Sequence, residues 1–120
     1  MRRFDRTTLW WVLLLLSVSA ASAQTVSVTE YPIPTPNSSP VSIVMGPDGA
    51  LWFTEAVGNK IGRISTAGLV TEYAVTTAAS SPQGITAGPD GALWFTELLG
   101  NKIGRITSSG AITEYSIPTS

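Results

Sequence analysis

One ten-residue stretch occurs twice in this chain of 120 residues. Residues 46–55 read Gly-Pro-Asp-Gly-Ala-Leu-Trp-Phe-Thr-Glu, and the same letters return at residues 88–97. Residues 30–71 align with residues 72–113 without a gap, and 26 of the 42 aligned positions are identical. A period in the low forties is typical of proteins that stack copies of one supersecondary unit. A residue that recurs in both copies is therefore first expected to stabilise its own repeat.

From residue 24 onward, the apolar residues fall in short runs rather than at helical spacing. The runs are rich in β-branched and aromatic residues, and clusters of Gly, Pro, Asn and Ser separate them. Such a pattern predicts β-strands joined by tight turns. The predicted strands are 41–45, 50–55, 60–65 and 69–75 in the first copy and 84–87, 92–97, 102–107 and 111–117 in the second. Each copy is predicted to form a four-stranded antiparallel sheet.

The second strand of each copy carries large apolar side chains on both faces. Successive side chains of a strand point to opposite sides, and Leu51, Trp52 and Phe53 are consecutive. Such a sheet must be covered front and back, as the stacked blades of a β-propeller are, whereas a plain sandwich leaves one face polar. The predicted fold class is all-β: a partial β-propeller of about two four-stranded antiparallel blades. One extra N-terminal strand and, before it, a signal-peptide helix complete this prediction.

Residues 1–23 have the parts of a secretory signal peptide. A basic start with three arginines precedes an apolar run over residues 9–18, and the small residues at positions 21–23 are typical of a cleavage site. A retained membrane anchor is the alternative, but the apolar run is about half of the roughly 20 residues that a spanning helix needs. The mature protein is therefore predicted to be secreted or periplasmic.

One further strand is predicted ahead of the two copies. Residues 25–33 alternate in polarity and contain Thr-Glu-Tyr, as the last strand of each copy does. This stretch is predicted to be the last strand of a unit, and a proline-rich connector follows it. The predicted organisation is a signal peptide over 1–23, the leading strand and connector over 24–40, the first blade over 41–75, a connector over 76–81 and the second blade over 82–120.

Composition narrows the class of partner. Residues 24–120 hold 4 basic and 7 acidic side chains, which gives a net charge of −3. No basic patch is available to neutralise phosphates, so nucleic acid is not an expected partner. The sequence contains no cysteine, so the exported chain must be stabilised by packing rather than by disulfides. No membrane contact is expected after signal cleavage, and the sequence does not identify a ligand.

Several recurring motifs resemble those of a known family. They are Gly-Pro-Asp-Gly-Ala-Leu-Trp-Phe-Thr-Glu, Gly-Asn-Lys-Ile-Gly-Arg-Ile and Thr-Glu-Tyr, together with Ile-Pro-Thr and Ser-Pro-x-Gly-Ile-Thr. Over residues 25–119, they are similar to the blade signature of the virginiamycin B lyase, or streptogramin lyase, family. The resemblance implies a ring-shaped β-propeller. It also implies founding members that open cyclic depsipeptide antibiotics by elimination, with a histidine base beside magnesium held by glutamates.

Glu55 and Glu97, which end the Trp-Phe-Thr-Glu strands, are the candidate metal ligands. Hard cations prefer carboxylate oxygens, and the resemblance implies that blade glutamates hold Mg²⁺. Glu30, Glu72 and Glu114, each before a tyrosine, are further glutamates of this kind. The alternative is that each recurring carboxylate pairs with the basic residues of the next strand, which are Lys60 and Arg63 in the first copy. The recurrence of both partners favours this second interpretation.

The absence of histidine bears directly on catalysis. An elimination needs a base that works near the ambient pH, and histidine is the usual one. The base that the resemblance implies has no counterpart in this sequence, so no catalytic residue is assigned. A glutamate or lysine with a shifted pKa is the remaining way to supply one. The chain alone is predicted to be a non-catalytic binding or scaffold module, and a magnesium-dependent C–O lyase in a longer or assembled form is the alternative.

Two blades do not close a ring, since propellers have about four to eight. Three outcomes follow: the chain is a fragment of a longer propeller, it assembles with copies of itself, or it is marginally folded with exposed edges. The expected partners are therefore further propeller blades or copies of this chain.

Overall fold

The computed structural model describes residues 23–119. The predicted signal peptide, residues 1–23, lies outside the described residues except for Ala23. Contacts divide the chain into Met1–Glu30 and Tyr31–Ser120, and every strand lies in the second unit. No helix in the described part of the chain is long and apolar enough to cross a bilayer.

Residues 23–119 contain eight strands, which form two four-stranded sheets. The strands of the first sheet are β1 (Pro40–Met45), β2 (Leu51–Glu55), β3 (Lys60–Ile64) and β4 (Val70–Ala74). Those of the second are β5 (Pro82–Ala87), β6 (Leu93–Glu97), β7 (Lys102–Ile106) and β8 (Ile112–Ser116). Each sheet is an antiparallel meander in sequence order, as the repeat predicts. Every strand predicted within the two copies overlaps an observed one and ends within two residues of it, so the predicted all-β fold with two four-stranded antiparallel sheets is confirmed.

The strands of the two sheets are paired in equivalent registers. Trp52 lies opposite Arg63 in the first sheet, and Trp94 lies opposite Arg105 in the second. The turn between the first two strands of each sheet needs a left-handed residue, which Gly49 supplies with φ of 79°. The first strand of each sheet also carries an irregularity after its proline, at the same place in both copies. Equivalent residues therefore have equivalent places, and any difference between them reflects their neighbours.

Each sheet has two apolar faces. We call the side that carries Trp52 and Thr54, or Trp94 and Thr96 in the second copy, the tryptophan face. The opposite side, which carries Leu51 and Phe53 or Leu93 and Phe95, is the phenylalanine face. The tryptophan face of the first sheet packs on the phenylalanine face of the second. The core therefore lies between the sheets, with Trp52, Ile61, Val75, Leu93, Phe95 and Ile106 fully enclosed.

Polar contacts fix the second sheet against the first. The Thr54 hydroxyl donates to the main-chain oxygen of Gln83 over 2.6 Å. The Asn59 amide donates to the Thr77 carbonyl, and its oxygen accepts from the amide and hydroxyl of Ser80, each over 2.9 Å. These bonds hold the connector between the sheets, so the stacking is defined by polar groups as well as by apolar burial.

The predicted N-terminal strand is wrong as a strand: residues 25–33 form none in this structure. The equivalent strands β4 and β8 each pair with the third strand of their own sheet. The described residues before position 25 contain no such third strand, and an extended segment without a ladder partner forms no sheet. The connector that follows is tightly turned, with Asn37 and Ser39 at positive φ.

Candidate functional site

Glu55 and Glu97 are among the most buried side chains in the molecule. They end β2 and β6, and their exposed fractions are 0% and 2%. Neither oxygen of either carboxylate has a hydrogen-bond partner within the described residues. A buried carboxylate without donors is unusual, because a desolvated charge is costly unless it is paired or protonated. These two groups are therefore the chemically distinctive residues of the fold.

Burial raises the pKa of Glu55 from its ordinary value of 4.5 to about 7. Repulsion from the nearby Glu72 carboxylate contributes to this rise, while the Lys60 ammonium opposes it. Burial likewise raises the pKa of Glu97, and Glu114 adds to this effect. Both glutamates consequently hold a proton more tightly than a free carboxyl group does.

The interpretation that recurring carboxylates pair with the recurring basic residues is wrong for Glu55 and confirmed for Glu72. Lys60 lies opposite Glu55 in the sheet register, but its ammonium bonds instead to Glu72, with 3.3 Å between Nζ and Oε2. Thr35 also donates to Glu72, through its amide over 3.0 Å and its hydroxyl over 2.9 Å. Arg63 is likewise committed, because its Nε contacts Asp48 Oδ2 at 2.7 Å.

Glu72 and its equivalent Glu114, the glutamates of the recurring Thr-Glu-Tyr motif, are the recurring carboxylates that pair with the lysine of the neighbouring strand. Burial by itself would raise the pKa of Glu72, but the donors from Thr35 and Lys60 hold it below the ordinary value. Glu114 has the same arrangement with Thr77 and Lys102. The recurring Thr-Glu-Tyr motif was the available signal. Each blade therefore places a carboxyl group with a raised pKa beside one with a lowered pKa, a pairing that often accompanies acid–base sites.

The structure does not bring Glu55 and Glu97 together. They belong to different sheets, and the carboxylate that acts on each is its own blade's fourth-strand glutamate. Within residues 23–119, no group of three or more His, Cys, Asp or Glu side chains lies close enough to hold a metal ion. Magnesium prefers an octahedron of oxygens, and a lysine ammonium already neutralises Glu72. One blade alone does not fit magnesium, and the metal prediction for Glu55 and Glu97 stays a prediction.

The tryptophans serve packing. Trp52 donates from Nε1 to Asp48 Oδ1 over 2.9 Å, and its ring stacks on Tyr73 with centroids 5.7 Å apart. The Arg63 guanidinium lies over the same ring at 5.8 Å. The second blade repeats these contacts with Trp94, Asp90, Tyr115 and Arg105. A cluster that recurs in this way stabilises the blade, as the repeat predicts.

Comparison with known proteins decides the relationship. A family model described as the Virginiamycin B lyase family matches residues 6–120. The chain belongs to this family. The resemblance drawn from the blade motifs is thereby confirmed, and the two sheets are propeller blades.

Individual members of the family are similar over the blades. The virginiamycin B lyase of Bacillus licheniformis is 57% identical over 43 residues, which is 36% of this chain and 15% of that protein. The solved virginiamycin B lyase of Staphylococcus aureus is 56% identical with a TM-score of 0.76, over 78% of this chain and 32% of that one. A catalytically inactive histidine-to-alanine variant of the S. aureus enzyme, solved with quinupristin, is 54% identical with a TM-score of 0.74, over 76% of this chain and 31% of that one.

The chain spans only part of these relatives. It covers 15% of the length of the curated lyases and about a third of the solved ones. What a whole lyase does is therefore a separate question from what these two blades do.

Proposed function

We propose that this chain is an exported, non-catalytic β-propeller repeat module that binds or scaffolds through assembled blades. The signal-like residues 1–23 support export. The two blades expose apolar side chains such as Ile43, Met45 and Leu51 for stacking, and within residues 23–119 no cluster of three or more potential metal ligands occurs. The ends of the blades, where loops meet in a propeller, would carry any bound ligand.

The observation that carries the proposal is the absence of histidine from the sequence. The inactive S. aureus variant differs from its parent enzyme by the loss of one histidine. A chain with no histidine lacks that group from the start, and its other candidate bases are enclosed. Glu55 and Glu97 are buried to 0% and 2% exposure, out of reach of a substrate as large as a cyclic depsipeptide.

We expect the purified chain to leave a streptogramin B intact. The measurement is mass spectrometry after incubation with quinupristin and Mg²⁺, because ring opening and elimination change the fragmentation pattern of the cyclic peptide. A full-length lyase of the family, run in parallel, must open the ring under the same conditions. Turnover by this chain at a rate within about a hundredfold of that control would contradict the proposal, since loss of a general base costs about 10²–10⁴ in rate.

A second candidate is a magnesium-dependent C–O lyase in a longer or assembled form. Two observations favour it: membership of the lyase family, and, in each blade, a buried glutamate with a raised pKa beside a half-buried glutamate with a lowered one. In this reading, further blades would supply the histidine and the missing oxygen ligands. Glu55 and Glu97 would then be the blade positions from which metal ligands are drawn.

Titration calorimetry with MgCl₂ distinguishes the two candidate functions by measuring whether the chain binds magnesium. The non-catalytic module is expected to bind no magnesium at millimolar concentration. Saturable binding that disappears in Glu55→Gln and Glu97→Gln, but persists in the exposed control Glu30→Gln, would favour the second candidate. Binding that all three variants retain would be unspecific association with the acidic surface, and the first proposal would stand.

A further inference from the structure

Two apolar faces of the blade pair are open. On the phenylalanine face of the first blade, Leu51 is 41% exposed, whereas its equivalent Leu93 is 0% exposed. Ile43 and Met45 are exposed on the same face. An apolar groove of about 370 Å³ runs over it between β1 and β4. Both positions hold leucine, so Leu51 is more exposed than Leu93 because no neighbouring sheet among the described residues covers it.

The tryptophan face of the second blade is open in the complementary way. Thr54 is buried and donates to the main chain of the second blade, whereas its equivalent Thr96 is exposed. Ile61 is fully buried, but Ile103 is only half-buried. A depression of about 390 Å³ lies here, and Thr86, Trp94, Thr96 and Ile103 of this face contribute to its lining. The described residues thus present an open phenylalanine face on one side of the blade pair and an open tryptophan face on the other.

These two open faces are the two halves of the joint that already holds the blades together. The joint inside the chain places a tryptophan face on a phenylalanine face, with 26 of 42 positions shared between the copies. We propose that a second copy of this chain docks its phenylalanine face onto the tryptophan face of the second blade, head to tail, and so repeats the internal joint between molecules. The occupant is a copy because the chain's own packing shows that surface to be complementary.

The register predicts the contacts of this intermolecular joint. Thr96 takes the place of Thr54, and the carbonyl of Val41 in the second copy takes the place of the Gln83 carbonyl. Leu51 of the second copy becomes covered as Leu93 is. Inside the chain, the main-chain amide of Ser80 donates to the side-chain oxygen of Asn59. In the intermolecular joint, the amide of the second copy's Ser38 donates in the same way to Asn101. The side-chain nitrogen of Asn101 already donates to the Ile117 carbonyl.

One segment must move for the copies to meet. Tyr73 of the first blade packs so closely against Gly110 of the second that a Cβ there would clash with its ring, and Tyr31 lies against Gly68 in the same way. In the joint between copies, Tyr115 of one copy would occupy the position that Tyr31 of the incoming copy occupies now. Tyr115 belongs to a strand with a complete ladder, whereas residues 25–33 form no strand. The leading segment of the incoming copy is therefore the one displaced.

The symmetry of the contact determines the product. A joint between two different faces is heterologous, so repeated rotation either closes a ring or continues as a fibre. The same joint closes propellers of about four to eight blades, which corresponds to about two to four copies of this chain. The inference deepens the proposed scaffold function, because only the closed ring has a complete propeller surface.

The test uses two variants that each block one face. Thr96→Arg places a charge on the open tryptophan face, and Leu51→Arg places one on the open phenylalanine face. Light scattering on the full chain, purified as it accumulates in the host and with its N-terminus defined by mass spectrometry, is expected to give two to four times the monomer mass, about that of a closed propeller. Each variant alone is expected to be monomeric, while Ser108→Arg, in an exposed turn, assembles as the parent does.

Mixing the two blocked variants is the decisive step. Each has one intact face, and those faces are complementary, so an equimolar mixture is expected to form a one-to-one dimer and nothing larger. A monomeric parent chain at all concentrations, or a mixture that stays monomeric, would overturn the inference, as would variants that still assemble singly. Circular dichroism confirms that both variants stay folded, and the milder Thr96→Lys and Leu51→Lys replace any that does not. Failure here leaves the ring-opening assay unaffected, so the assembly and the non-catalytic function fail separately.

Discussion

Truncation of Leu93 to alanine is expected to destabilise the chain by about 2–5 kcal/mol, whereas the same substitution at Leu51 is expected to cost about 0.5 kcal/mol. The two leucines occupy equivalent register positions, each at the start of a second strand. Leu93 lies in the core between the blades, with Trp52 and Phe95 beside it. Leu51 lies on the open face. The difference in cost therefore isolates the contribution of one neighbouring blade. Urea unfolding followed by tryptophan fluorescence is the measurement.

Protein concentration adds a second dimension to this comparison. If copies associate, Leu51 becomes buried in the joint, and the cost of Leu51→Ala should rise with concentration while that of Leu93→Ala does not. A domain of this size has a total stability of about 5–15 kcal/mol, so Leu93→Ala uses up much of it. Equal costs for the two variants in dilute solution would contradict the stacking of the blades described here.

The fold could be predicted from the sequence because its main signals are local. The repeat of residues 46–55 defines the unit, and alternation of side chains along a strand makes Leu51-Trp52-Phe53 apolar on both faces. Turn residues such as Gly49 then mark where each strand reverses. Each of these sequence signals lies within a few residues of the structural feature that it specifies, and each occurs in both copies of the repeat.

The site could not be predicted, because its contacts join distant parts of the chain. Glu55 lies opposite Lys60 in the sheet, so pairing between them is the natural expectation. Thr35 comes from 37 residues before Glu72, yet its two donors build the anchored carboxylate that attracts Lys60 instead. Nothing in the local sequence of Glu55 records that competition. The leading strand over residues 25–33 failed for a related reason, since a strand depends on a partner that its own sequence does not contain.

Stability is expected to rise as the pH falls from 8 to 5. The pKa of Glu55 is raised in the folded chain from 4.5 to about 7, so its contribution is fully present below 4.5 and lost as the pH rises through 7. This shift corresponds to about 3 kcal/mol, and the raised pKa of Glu97 acts in the same direction. A chain without histidine or cysteine has no side chain that ordinarily titrates in this window.

Carboxyl groups with lowered pKa values limit the stability at acidic pH. Hydrogen bonds and cations hold the pKa values of Asp48, Glu72 and Glu114 below their ordinary values, so the stability that these groups contribute is lost at pH below about 4. The free energy of unfolding should therefore pass through a maximum near pH 5. Most small domains instead change little between pH 5 and 8.

The variant Glu55→Gln tests whether Glu55 causes the expected loss of stability between pH 5 and pH 8. The amide is neutral at every pH, so the variant should match the parent near pH 5 and exceed its stability at pH 8, by up to about 3 kcal/mol. The exposed Glu30→Gln should leave the parent's profile unchanged, because no buried group is altered. Urea midpoints at half-unit intervals from pH 4 to 9 give the curve directly. A parent chain equally stable at pH 5 and pH 8 would mean that Glu55 is charged in the folded state. The buried carboxylate would then have found a counter-charge, and a cation site at this position would have to be considered again.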